Sequence, residues 1–176
     1  MSYRYCPDCG TKLLPRPAGD DGDVPYCSAC KKYWFAVFPS CVIVLVANER
    51  QELALLRQNY LSTSFDVFVS GFIAPEESAE TAAAREVREE LGLEVQRLVS
   101  TGTFWYPDAG QLMHGFIAYV KKKPLTLSAE LDGASWVPAE EAYQTMFPIS
   151  ASPAAYDIYL RYLKEENLQF KGGQFK

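Results

Sequence analysis

Residues 71–93 read GFIAPEESAETAAAREVREELGL, and the fold turns on how the second half of that stretch is understood. At about 100° per residue, Glu86, Glu89 and Glu90 stand at i, i+3 and i+4 and share one face of a helix. Ala83, Ala84, Val87 and Leu91 fill the adjoining arc, which suits burial against a sheet. Ser78 is placed to cap the helix and Gly92 to stop it. Like charges so spaced repel by about 0.2–0.5 kcal/mol per pair, and a solvated acidic face is the ordinary outcome. The setting points elsewhere, because a strand-like run, DVFVSGF (66–72), ends on Gly71, a loop carries Glu77, and only then does the helix begin. Carboxylates held against a sheet suit a hard divalent cation, Mg²⁺ or Mn²⁺. Such cations suit diphosphates, whose oxygens they neutralise and against which they activate water.

The rest of the chain is compatible with that reading. Its 176 residues, 48% hydrophobic and 22% charged, suffice for one ordinary domain and a small appendage. The net charge of −5 argues against a protein that coats nucleic acid. No apolar run approaches the roughly 20 residues needed to cross a bilayer, and MSYRYCPDCG lacks the regions of a secretory signal. No membrane partner and a cytoplasmic location are therefore expected. Strands are predicted at 41–48, 52–58, 66–72, 93–106, 111–121 and 133–137, with a short helix at 138–146 and an amphipathic one at 153–166. Mixed strands with single helices between them indicate an α/β or α+β layered domain.

Four of the five cysteines fall in two CxxC pairs, Cys6/Cys9 and Cys27/Cys30, separated by 17 residues. That is the arrangement of a structural zinc site, one ion per chain. Disulfides would need an oxidising compartment, and a redox CxxC usually needs a single motif. GDDGD (19–23) is expected at a hairpin tip. Cys41, in the apolar run PSCVIVLVAN, reads as a small buried hydrophobe.

The box resembles that of the Nudix hydrolase family, which carries Gly, five residues, Glu, seven residues, then Arg-Glu-apolar-x-Glu-Glu-x-Gly-apolar. Gly71, Glu77 and Arg85-Glu86-Val87-Arg88-Glu89-Glu90-Leu91-Gly92-Leu93 match every specified position. The resemblance implies an α/β fold, an α/β/α sandwich with a mixed sheet over residues 38–168. A zinc ribbon over 1–36 would precede it and a flexible tail over 169–176 would follow. It also implies hydrolysis of a nucleoside diphosphate linked to another group. Glu86, Glu89 and Glu90 would hold the catalytic Mg or Mn, Arg85 would orient them, and Glu77 would support the loop or assist at the metal edge. Glu89 is favoured as the group nearest a metal-bound water.

A four-cysteine ribbon before such a domain is similar to the NADH pyrophosphatases, which yield nicotinamide mononucleotide and AMP and in some cases remove NAD caps from RNA. Leu112-Met113-His114-Gly115-Phe116 matches the second part of their specificity stretch. Its Ser-Gln-Pro triplet is missing, and Trp105 lies one residue too far from Leu112. ADP-ribose, a flavin dinucleotide or a nucleotide sugar thus stand as alternative substrates. The resemblance further implies the Ser70 carbonyl as a metal ligand, Glu130 as a candidate metal ligand or base, NAD-capped RNA as a partner, and a homodimer. Trp105, Tyr106 and Phe72 are candidates for contacting the substrate. His114, the single histidine, is assigned no role. From other classes, a non-catalytic sensor would show eroded box carboxylates, and none is eroded. A nucleic-acid-binding ribbon would use Arg4, Lys12, Arg16, Lys31 and Lys32, which Asp8, Asp20, Asp21 and Asp23 nearly offset.

Overall fold

Residues 3–171 are described by the computed structural model. Up to Pro39 the chain forms a unit of its own. In it β1 (Leu14–Pro17), β2 (Asp23–Cys27) and β3 (Lys32–Tyr33) make an antiparallel sheet in that order. The β1–β2 hairpin closes through a 3₁₀ turn, Gly19–Asp21, with Gly19 and Gly22 at positive φ. Its core is small: Cys6, Leu13 and Cys27, with Tyr3 and Trp34 against them. A unit under about 40 residues rarely holds on such a core without a metal or cross-link.

From Ser40 onward a second unit is built on β4 (Ser40–Asn48), buried along all but its first residue. After it come β5 (Glu52–Arg57), β6 (Val69–Phe72), α1 (Ala79–Leu91), β7 (Val95–Tyr106), β8 (Gln111–Val120), β9 (Gly133–Pro138) and α2 (Pro153–Glu165). The strands run β7-β8-β4-β5-β9, and β6 also pairs with β4. One side of β4 is taken by β8 in parallel. The other is divided between β6, along Cys41–Val44, and β5, at Val46 and Ala47, both antiparallel. This is a mixed sheet with a helix on each face. Val42, Val44 and Val46 pack with Ala82, Ala83, Val87 and Leu91 of α1. Ile43, Leu45 and Ala47 pack with Ile158, Tyr159, Tyr162 and Leu163 of α2. Alternation along one strand thus supplies both cores.

Three departures from the sequence reading have local causes. Strand β6 begins at Val69 rather than 66, because Val67 bridges to Leu56 and Asp66 to Met146 before the chain reaches β4. The helix expected at 138–146 is a 3₁₀ turn, Ala139–Gln144, whose buried Ala139 and Ala142 stand three apart, the eclipsed spacing of that helix. The end of the chain is packed as far as Lys171: Phe170 meets Tyr143 edge-on at 5.5 Å, and Lys171 pairs with Glu140. The remainder of the expected flexible tail, 172–176, lies outside the described residues. Among the described residues no helix is long and apolar enough to cross a membrane.

The fully buried Tyr159 donates its hydroxyl to the Ala139 carbonyl at 2.6 Å, tying α2 to the 3₁₀ turn. Tyr159→Phe removes that hydrogen bond, so stability falls by about 0.5–1.5 kcal/mol. The check is a lower urea midpoint with an unchanged m-value.

Candidate active site

The site grows from the junction of β6 and α1. In the intervening loop, the Glu77 carboxylate accepts from the Ala74 N–H at 3.0 Å, and the Glu77 N–H returns to the Ala74 carbonyl at 3.1 Å. Ser78 caps α1 by accepting from the Thr81 N–H at 3.2 Å. Gly92 ends the helix at φ 66°, its N–H donating to the Arg88 carbonyl, and helix and loop together fix where the box side chains emerge.

Gly71 is required by proximity. A Cβ placed there would lie 1.9 Å from Glu86 Oε1, so any side chain at 71 would evict that carboxylate. Arg85 then gathers the acids. Nε and Nη2 donate to the two Glu77 oxygens at 2.9 Å each, Nη1 to Glu86 at 2.7 Å and Glu89 at 3.0 Å, and Nη2 also to the Phe72 carbonyl at 3.0 Å. The guanidinium and the Ala74 N–H hold the Glu77 carboxyl down to about 2. Burial outweighs Arg85 at Glu86 and raises it.

Glu90 is unlike the others. It is 4% exposed, and its Oε2 has no hydrogen-bond partner among the described residues. Burial, then the charges of Glu86 and Glu130, push it up to about 8. Glu130, on the exposed turn after β8, lies within electrostatic reach of Glu90. So does Tyr60, a residue the sequence reading passed over. Tyr60 is 69% exposed, and its phenol is raised by partial desolvation and by the charges of Glu90, Glu130 and Glu86. Glu89 is the most open box carboxylate, its side chain 53% exposed. Glu86, Glu89 and Glu90 do not converge on one point, since Glu86 and Glu89 are drawn onto Arg85. The buried, partnerless oxygen of Glu90 and the all-oxygen donor set nonetheless fit a hard divalent cation.

On the opposite face of β6 lies a cavity of about 880 Å³, bordered by Ser70, Asp66, Phe104, Tyr106, Met113 and Phe147 among others. The start of α2 closes one side through Ser152 and Pro153. Among the described residues no lysine or arginine lines it. Register explains which aromatic residues enter. Val99 pairs with Ile117 on the α2 face, but a bulge between Ser100 and Gly102 inserts one residue. Phe104 (opposite Met113) and Tyr106 (opposite Gln111) therefore take the cavity face, and Trp105 (opposite Leu112) takes the other. Trp105 borders the cavity but is 54% exposed. Phe72 is 62% exposed and does not line it; only its carbonyl serves the site, as an acceptor for Arg85.

In the first unit the sulfurs of Cys6, Cys9, Cys27 and Cys30 all lie within 4.8 Å of one another, among the described residues the one such group of candidate ligand atoms. Cys6–Cys30 is 3.9 Å and Cys9–Cys27 3.5 Å, close to the roughly 3.8 Å between sulfurs of a tetrahedron with metal–sulfur bonds of about 2.3 Å. Without a cation such neighbours resist joint ionisation. Hydrogen bonding with Thr11 holds the Cys9 thiol down to about 6, while hydrogen bonding to Cys9 pushes Cys30 up to about 12. Cys41 is buried, its thiol raised to about 11 by desolvation.

Glu90 gives a pH signature. Its folded pKa lies above the ordinary carboxylate value, so its contribution is complete below that value and is lost as pH rises through about 8. Glu90→Gln, neutral throughout, should leave the thermal midpoint nearly unchanged at pH 5 and raise it by several degrees at pH 9, without added divalent cation.

The chain is 33% identical to Nudix hydrolase 19, chloroplastic, of Arabidopsis thaliana over 152 residues, covering 81% of this chain and 34% of that one. It is 29% identical to the NAD-capped RNA hydrolase NudC of Pseudomonas fluorescens over 162 residues, covering 90% and 56%. It thus spans about a third to just over half the length of these curated relatives. The crystal structure of a NUDIX hydrolase from Nitrosomonas europaea shares the fold, with a TM-score of 0.67 at 17% identity over 94% of this chain and 93% of that one. The NUDIX domain profile matches residues 37–161, and the chain belongs to that family.

Proposed function

We propose that this chain hydrolyses the diphosphate bond of a nucleoside diphosphate derivative, most favourably NADH or NAD⁺ to nicotinamide mononucleotide and AMP. One observation carries the reading: adjacent residues of β6 serve two unlike regions. Gly71 meets the carboxylate face of α1, and Ser70 borders an aromatic cavity that no lysine or arginine lines among the described residues. A dinucleotide is divided in the same way, into flat rings and a charged diphosphate. Relatives named NAD-capped RNA hydrolase, from Pseudomonas fluorescens and Caenorhabditis elegans, support an NAD-like substrate and make capped RNA a second one to test.

Glu86, Glu89 and Glu90, with Glu130 and the Ser70 carbonyl, are the oxygen donors that would hold Mg²⁺ or Mn²⁺. Such an ion supplies charge neutralisation at the phosphoryl oxygens and a water of lowered pKa. Arg85 fixes the aim of Glu86 and Glu89. Glu77, engaged at both oxygens by Arg85, acts by holding that guanidinium. Glu89, the most open of the three, takes the proton from the attacking water. Phe104 and Tyr106 stack the ring, in preference to Trp105 and Phe72. The outward Trp105 favours one second reading: the same chemistry on ADP-ribose, a flavin dinucleotide or a nucleotide sugar, whose pockets need not use it.

Purified protein with Mg²⁺ or Mn²⁺ should release nicotinamide mononucleotide and AMP from NADH faster than it turns over ADP-ribose or a flavin dinucleotide, followed by chromatography. Glu89→Gln should lower kcat by about 10²-fold or more. Full activity in that variant would move the base elsewhere, and no turnover of any substrate would turn the reading to a ligand sensor. For the four cysteines we propose structural zinc, without an open coordination position. Elemental analysis should give one zinc per chain. Cys27→Ser should lower that content and make residues before Pro39 protease-sensitive, because metal binding and folding are coupled in so small a unit.

A further inference from the structure

We propose that Asp66 selects the ring held in the cavity by accepting from an N–H₂ group on it; the inference rests on the dinucleotide reading above. Asp66 borders the cavity with a side chain only 13% exposed. Its position is fixed from several directions. The Asp66 N–H donates to the Thr145 carbonyl at 2.9 Å, and the next residue exchanges two hydrogen bonds with Leu56. Oδ1 pairs with Arg57 Nη2 at 2.6 Å, and Arg57 in turn donates through Nη1 to the Thr63 carbonyl at 3.3 Å. A carboxylate offers about four acceptor lone pairs, so the pairing with Arg57 leaves Asp66 acceptor capacity for a ligand.

A carboxylate paired with a guanidinium can only accept hydrogen bonds. Ser70, Thr103, Gln111 and Ser152 also border the cavity, but a hydroxyl or an amide can turn to donate or accept and so discriminates weakly. Asp108, the other carboxylate there, sits in the exposed turn after β7. Asp66 is therefore the rigid acceptor of the wall. A ring bearing N–H₂ gains a charge-assisted hydrogen bond from it, whereas a carbonyl or methyl ketone at the same place sets oxygen or carbon against an unsatisfied carboxylate. Adenine carries such a donor as its 6-amino group, and nicotinamide as its carboxamide.

Equilibrium binding of mononucleotides tests this without depending on turnover. AMP is compared with inosine monophosphate, which replaces the amine by a carbonyl, and nicotinamide mononucleotide with its 3-acetylpyridine analogue, which replaces the carboxamide by a methyl ketone. Wild type should bind the N–H₂ member of one pair about tenfold or more tightly, and the affected pair identifies the ring in the cavity. Asp66→Asn should bring that ratio within about twofold or invert it, with a thermal midpoint confirming the fold. Two results overturn the proposal: wild type that discriminates neither pair, or a variant that weakens both members equally, as expected if Asp66 only anchors Arg57. Discrimination without cleavage of any dinucleotide would retain Asp66 and discard the reaction, and cleavage without discrimination would do the reverse.

Discussion

Arg85 is the fastening on which the arrangement depends. Glu77, Glu86 and Glu89 come from a loop and from successive turns of one helix, and without a cation between them their charges would drive loop and helix apart. The guanidinium satisfies all three while also capturing the Phe72 carbonyl at the end of β6. Strand, loop and helix are thereby locked in one geometry. A lysine could not substitute, because a single ammonium lacks the planar fork that engages Glu77 at both oxygens while reaching two further acids. Gly71 completes the lock by lending the space that the Glu86 carboxylate occupies.

Strand β4 carries this local device into the whole domain. Buried on both faces, it gives alternate residues to the cores beneath α1 and α2. The edge not taken by β8 is shared by β6 and then β5. The acidic face and the cavity therefore belong to separate hydrophobic layers that meet at one backbone, and each is supported by its own packed helix.

Local spacing made much of this legible in the sequence. The box residues act within one helix and the loop before it, where a 3.6-residue period and a cap determine which side chains share a face. The two CxxC pairs likewise converge through short turns. The cavity was illegible because its walls come from residues as distant as Asp66, Phe104, Met113 and Phe147. The bulge after Ser100 was decisive: uninterrupted alternation from Val99 would send Trp105 to the cavity face, and one inserted residue sends Phe104 and Tyr106 instead. Asp66 read simply as the first residue of a strand. Phe170 lay in a polar tail whose packing depends on three tyrosines far back in the chain.

The step from Ser70 to Gly71 has a consequence for descent with modification. Because consecutive residues of a strand face opposite ways, the carboxylate face and the cavity wall share a main chain but no side chain. Substitutions on the wall leave the acidic cluster intact, and under the function proposed above lineages could exchange one nucleotide for another without rebuilding the reaction. Diversity of substrate on a fixed chemistry is then a product of pleat geometry.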